Sequence, residues 1–117
     1  MILINSNIID DKSFEFALDV IKLYKYLVND KKEYILSKQL LRSGTSIGAN
    51  VKEGVHGFSK SDFRFKMSLA LKEANETEYW IELLIKSDII RENDAKFTLI
   101  KCKELCKILN SIVKNSI

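Results

Sequence analysis

Apolar residues return every three or four positions along most of this chain, the period of a helix with one face turned to a core. Over residues 13–29 two such stripes run side by side. Phe14, Ala17, Ile21, Tyr24 and Val28 make one, and Phe16, Val20, Leu23 and Leu27 the other. A second segment, 33–56, carries Leu36, Leu40, Ile47 and Val51. A third, 61–87, keeps Phe63, Met67, Ala70, Ala74, Thr77, Ile81 and Leu84 in register. The fourth, 93–115, holds Ala95, Leu99, Cys102, Cys106, Leu109 and Val113, with Leu105, Ile108 and Ile112 beside them. Asn29-Asp30-Lys31-Lys32 breaks the first helix from the second, and Gly54 and Gly57 mark the end of the second. Ser13, either Ser59 or Ser61, and Asn93 are the predicted N-caps, with Asp62 and Asp94 suiting the first turns that follow. Helices of this length joined by short breaks must alternate in direction. The expected fold is all-α, an antiparallel up-down-up-down four-helix bundle, as a single domain over residues 1–117.

Composition narrows the class. With no Pro and four Gly, the chain lacks the turn residues an all-β domain requires. At 46% apolar and 30% charged it is too hydrophobic for a disordered chain. No apolar run approaches the roughly 18 residues of a membrane span. The opening Met1-Ile2-Leu3-Ile4 is short and lacks a basic flank, so no secretory leader is expected. Cys102 and Cys106 share a helical face without a CxxC motif or nearby His. They read as small core residues in a reducing cytoplasm.

Leu41 to Gly54 is the stretch that departs from plain scaffold. Small and polar residues, poor helix formers, crowd it. Gly44 and Gly48 each cost about 1 kcal/mol against Ala in a helix interior, a cost with a purpose only where something packs closely. Arg42, Ser46 and Asn50 follow at i, i+4 and i+8, with Glu53 near the same face, and Glu73, Glu76 and Trp80 share a face of the third helix. A polar seam between the second and third helices is therefore expected, fixing helix register or opening to a neighbour.

The pattern Leu40-Leu41-Arg42-Ser43, Ser46-Ile47, Asn50 and Glu53-Gly54 resembles the signature of the four helix bundle protein family, which includes proteins encoded in intervening sequences of bacterial 23S ribosomal RNA genes. A second block matches at Ala70-Leu71-Lys72-Glu73-Ala74, Glu76-Thr77-Glu78-Tyr79-Trp80 and Leu83-Leu84. The resemblance runs from about Phe14 to Ile112. Gly44 and Gly48 stand where the family often has Ala. It implies a homopentameric ring of antiparallel bundles, akin to the basic accessory protein of diversity-generating retroelements, which acts with a reverse transcriptase and nucleic acid.

Enzyme signatures are weak. Glu53-Gly54-Val55-His56 has the Glu-x-x-His spacing of di-iron bundles, but His56 is the sole histidine and such sites need two strings. Ser43, Thr45 and Ser46 have no nearby His base. Gly54-Val55-His56-Gly57 lacks the Lys-Ser/Thr of a phosphate loop. No catalytic residue, metal or cofactor is expected.

Net charge is +3, and it is not evenly spread. Residues 1–30 and 61–90 are net negative, while 31–60 and 91–117 are net positive. Adjacent helices of the bundle then attract, or the second and fourth present basic surface to a phosphate backbone. Lys38, Arg42, Lys52, Lys60, Arg64 and Lys66 are the candidate contacts to RNA or DNA. The competing reading is a protein–protein adaptor or structural ring using Tyr79, Trp80 and the small-residue face. Both involve self-association, because two apolar stripes on the first helix, with Phe16, Phe58 and Phe65 expected outside, exceed what one bundle needs.

Overall fold

Four helices, α1 (Ile2–Asn29), α2 (Leu36–Val55), α3 (Lys60–Lys86) and α4 (Glu92–Asn115), account for nearly all of the chain. The computed structural model describes residues 2–115, with side chains from Ile8 onward; the apolar side chains of residues 1–4 lie outside the described set. Each helix packs on its neighbour in sequence and α4 closes against α1, the slightest of the four contacts. Among the described residues no Cα atoms of diagonal helices come within 8 Å of each other. This is the expected up-down bundle, 43 × 19 × 18 Å, its long dimension set by α1 at 1.5 Å per residue.

The core stripe of α1 is Ile9, Phe16, Val20, Leu23 and Leu27, with Ser13 in the heptad place between Ile9 and Phe16. Two expectations are corrected here. Phe16 is in the core, not on the surface. Ser13 is not a cap: it is buried mid-helix, its hydroxyl donating to the Asp10 carbonyl at 3.1 Å. A serine that bonds back into its own helix satisfies itself and lets the helix run on, so α1 begins eleven residues before the predicted start. The rest of the core follows the predicted stripes. Leu40, Ile47 and Val51 come from α2, Met67, Ala70, Ala74, Ile81 and Leu84 from α3, and Ala95, Cys102, Leu105, Leu109 and Ile112 from α4. Neither cysteine is in a disulfide, with Cys102 buried and Cys106 half-buried. The Cys106 thiol and burial, in that order, push Cys102 up and keep it protonated.

Caps differ in detail from those expected. Ser59 caps α3, accepting from the Asp62 N–H at 3.1 Å. At α4, Asn93 lies inside the first turn. Asp94 does the capping instead, accepting from the Arg91 N–H at 2.9 Å. Glu33, predicted as the first residue of α2, stands outside it. Its carboxylate accepts from the N–H groups of Ile35, Leu36 and Ser37 at 3.2, 3.0 and 2.7 Å. Partial burial raises the Glu33 pKa, but the Leu36, Ser37 and Ile35 N–H groups outweigh it, so the carboxyl sits below its ordinary value. Glu33→Ala is expected to cost about 1 kcal/mol, the size of a lost helix cap, measured by urea denaturation at pH 7. The stabilisation is present above the unfolded-state pKa and fades as pH falls through the lower folded value. Wild type and variant should therefore converge in acid.

Gly44 and Gly48 are explained by contact. A Cβ on Gly44 would stand 2.7 and 2.8 Å from the two γ-carbons of Val20, and one on Gly48 3.3 Å from the Ser13 carbonyl oxygen. Gly54 does the same toward α3, 3.0 Å from Lys66 Cβ and Met67 Cε. α2 is thus shaved where α1 and α3 press on it.

Candidate nucleic-acid interface

Arg42 projects from α2 across α3. Its Nη1 lies 3.2 and 3.3 Å from the two Glu73 carboxylate oxygens, and its Nη2 is hydrogen-bonded to Glu76. Trp80 Nε1 donates to the same Glu76 carboxylate at 3.1 Å. The Trp80 bond leads in holding Glu76 below the usual carboxylate range, with burial opposing it and Arg42 adding to it. Tyr79 meets the Trp80 ring edge-on, centroids 5.0 Å apart. Inward of this cluster the hydroxyls of Ser43 and Thr77 are hydrogen-bonded at 2.8 Å, both fully buried. Thr77 had read as one more apolar-stripe position; its pairing with Ser43 across the helices has no local sequence signal.

The polar seam is shorter than the sequence pattern implied. Ser46 donates to the Arg42 carbonyl at 2.6 Å and Asn50 to the Ser46 carbonyl at 2.9 Å, so both turn back onto α2. Short side chains reach their own backbone one turn away more readily than a facing helix. Glu53 rejoins α3 separately, through Lys66 at 2.8 Å. Two patches result, Arg42–Glu73–Glu76–Trp80 at mid-bundle and Glu53–Lys66 beside Gly54. His56 is exposed just past the end of α2. Among the described residues no group of three or more His, Cys, Asp or Glu could hold a metal, and no helix is long and apolar enough to cross a membrane.

The six candidate cations do not converge. Lys38 and Lys52 lie 14 residues apart on α2, about 21 Å along its axis. Arg42 and Lys66 are neutralised as described, and Lys52 faces Asp10 at 3.8 Å. Lys38, Lys60 and Arg64 are exposed and, among the described residues, in no ion pair.

The larger surface feature is apolar. Phe14, Ala17, Leu18 and Ile21 of α1 and Thr45, Gly48 and Ala49 of α2 line an open groove of about 560 Å³, with Asp11 and Glu15 on its acidic side. The outer of the two predicted α1 stripes ends here, and Phe14 is 66% exposed.

A profile of the 23S rRNA-intervening sequence proteins matches residues 5–111. This chain belongs to that family. A solved structure titled as a protein with unknown function from the S23 ribosomal protein family, from Bacteroides thetaiotaomicron, is 50% identical. It superposes with a TM-score of 0.90 over 95% of this chain and 99% of its own. No curated protein matches. In this family member the signature residues of α2 and α3 meet as the Arg42–Glu73–Glu76–Trp80 cluster, the Ser43–Thr77 hydrogen bond and the Gly54 contact. They join two helices of one bundle.

Proposed function

We propose that the protein is a non-enzymatic, cytoplasmic binding module that assembles with copies of itself and, as an assembly, associates with RNA or DNA. The observation that carries the reading is the α1–α2 groove. A bundle whose core is already filled keeps Phe14, Leu18 and Ile21 lining an open apolar trough, and extra apolar surface of this kind serves an interface. The same chain offers a counterpart. Phe58 and Phe65 stand exposed at the start of α3, flanked by Lys60, Asp62 and Arg64, while the groove is edged by Asp10, Asp11 and Glu15 against the cation Lys52, so knob and groove differ in net sign. Aromatic knob and apolar trough with opposite charges on their rims favour a head-to-tail contact, which closes into a ring when its rotation permits. The pentamer implied by the family resemblance is one such ring. Repeating a +3 chain around an axis multiplies its field toward a polyanion.

The non-enzymatic reading rests on how the polar groups are spent. Arg42, Glu73, Glu76, Glu53 and Lys66 are paired with one another across α2 and α3, and His56 stands apart from them.

Light scattering of the purified chain is expected to give an oligomer, and Phe14→Glu a folded monomer. Fluorescence anisotropy with labelled oligonucleotides at about 50 mM salt is expected to show binding that weakens steeply as salt rises. A monomeric wild type would defeat the assembly reading. An oligomer that ignores both RNA and DNA would leave a structural ring or protein adaptor in its place.

A further inference from the structure

The outer face of α4 carries Lys96, Lys103, Lys107 and Lys114, at spacings of seven, four and seven residues, all exposed. Those intervals keep the four on one side of a helix and spread them over about 27 Å. Among the described residues none is in an ion pair. Of the nearby carboxylates, Glu92 and Glu78 form no ion pair with the row among the described residues, and two others are used elsewhere. Glu104, one turn before Lys107, holds Lys12 of α1 at 3.2 Å, and Asp94 is bound to Arg91. Lys103 and Lys107 are like charges one turn apart, an arrangement that weakens a helix and that an anionic ligand relieves. Beside them runs a groove of about 250 Å³ lined by Leu71, Asn75, Cys106, Lys107 and Asn110. Asn75 and Asn110 are exposed, and among the described residues their amides have no hydrogen-bond partner, leaving donors and acceptors free.

We infer that this stripe is the track on which the protein binds the phosphate backbone of nucleic acid, with Lys103 and Lys107 at its centre and Asn75 and Asn110 contacting the sugar or base edges of a single strand. The inference rests on the nucleic-acid reading above and gives it a place. A linear row of unneutralised cations complements a linear polyanion. A membrane surface fits less well, because a helix that lies on lipid presents a continuous apolar face to it, and among the described residues α4 exposes only Phe97 and Ile100 as large apolar side chains beside the four lysines. Uncharged amides beside the lysines serve unpaired bases, whose edges a duplex keeps in its grooves.

The test uses the full chain, fluorescence anisotropy and three labelled probes: a single-stranded RNA of about 20 nucleotides, the same sequence as DNA, and the DNA duplex. Each neutralised phosphate contact contributes about 0.7 to the slope of log K against log salt for single strands, and about 0.9 for duplex. Lys103→Gln/Lys107→Gln is expected to flatten the single-strand slope by about 1.4 and to weaken binding more than tenfold at low salt. Lys25→Gln/Lys86→Gln removes the same charge from exposed positions elsewhere and is expected to bind as wild type does. Asn75→Ala/Asn110→Ala is expected to weaken single-strand binding with the slope unchanged and the duplex unaffected. All six positions are exposed, and circular dichroism confirms that each variant is folded. Equal losses from both lysine pairs, or none from Lys103/Lys107, overturn the stripe while leaving the broader reading standing. A wild type that binds none of the probes sinks both.

Discussion

Phe16→Ala is expected to destabilise the bundle by about 3–5 kcal/mol, against a total stability of about 5–15 kcal/mol for a domain. Phe16 is 1% exposed, and its ring fills the core between Ile9 and Val20 on the α1 stripe. Truncation loses the transfer free energy of the ring and leaves a void that four rigid helices only partly close. Phe14, two residues earlier and 66% exposed, is the control. Phe14→Ala should shift monomer stability by less than about 0.5 kcal/mol while weakening self-association. Urea denaturation read by circular dichroism, paired with light scattering, separates the two. If Phe14 proved the costlier in the unfolding curve, the assignment of inner and outer stripes would be reversed.

The second large effect is expected at Gly44. Helix propensity alone favours alanine there by about 1 kcal/mol. The γ-carbons of Val20, under 3 Å from the new methyl, oppose it. Val20 is fully buried and β-branched, so it turns aside only by leaving its preferred rotamer. Overpacking of this kind costs about 1–3 kcal/mol, and the net for Gly44→Ala is a loss of about 1–2 kcal/mol. Gly48→Ala meets a backbone carbonyl at 3.3 Å, a milder approach, and should come out near neutral. Thermal melts of both variants check the order. A Gly44→Ala protein more stable than wild type would mean that α1 and α2 do not approach as closely as described.

Four helices in an antiparallel bundle were legible because stripes such as Phe63–Met67–Ala70–Ala74 and Leu40–Ile47–Val51 hold their period for many turns, and nothing in tertiary packing overrides so long a signal. The start of α1 was not legible. Serine just ahead of an apolar-periodic segment has the appearance of a cap, and only the Ser13–Asp10 back-bond reveals a helix that runs on. Choosing which α1 stripe faced inward required the neighbours. Both have the right period, and Val20 against Gly44 decides between them. In the α2–α3 seam, Arg42 with Glu73 and Glu76 was readable because long charged side chains cross between helices. Asn50 misled because a short amide at the same spacing stays at home. The Lys96–Lys103–Lys107–Lys114 row was readable in principle. The net positive charge of residues 91–117 pointed to it, but which lysines stand unpaired depends on Glu104 reaching Lys12 and Asp94 reaching Arg91.

The slight contact between α1 and α4 has a consequence of its own. Two cross-links of opposite charge span that edge, Lys12 to Glu104 and Lys101 to Asp19, at 3.2 and 2.7 Å. Both are solvent-facing and therefore subject to screening over about 8 Å at physiological ionic strength. Screening also reaches the Lys52–Asp10, Arg42–Glu73 and Lys66–Glu53 pairs of the α1–α2 and α2–α3 seams, but there Gly44, Gly48 and Gly54 add close helix contact that ions do not reach. Brine thus loosens ion pairs on three edges of the molecule, and the α1–α4 edge, with the slightest packing beneath its pairs, loses the largest share of its hold.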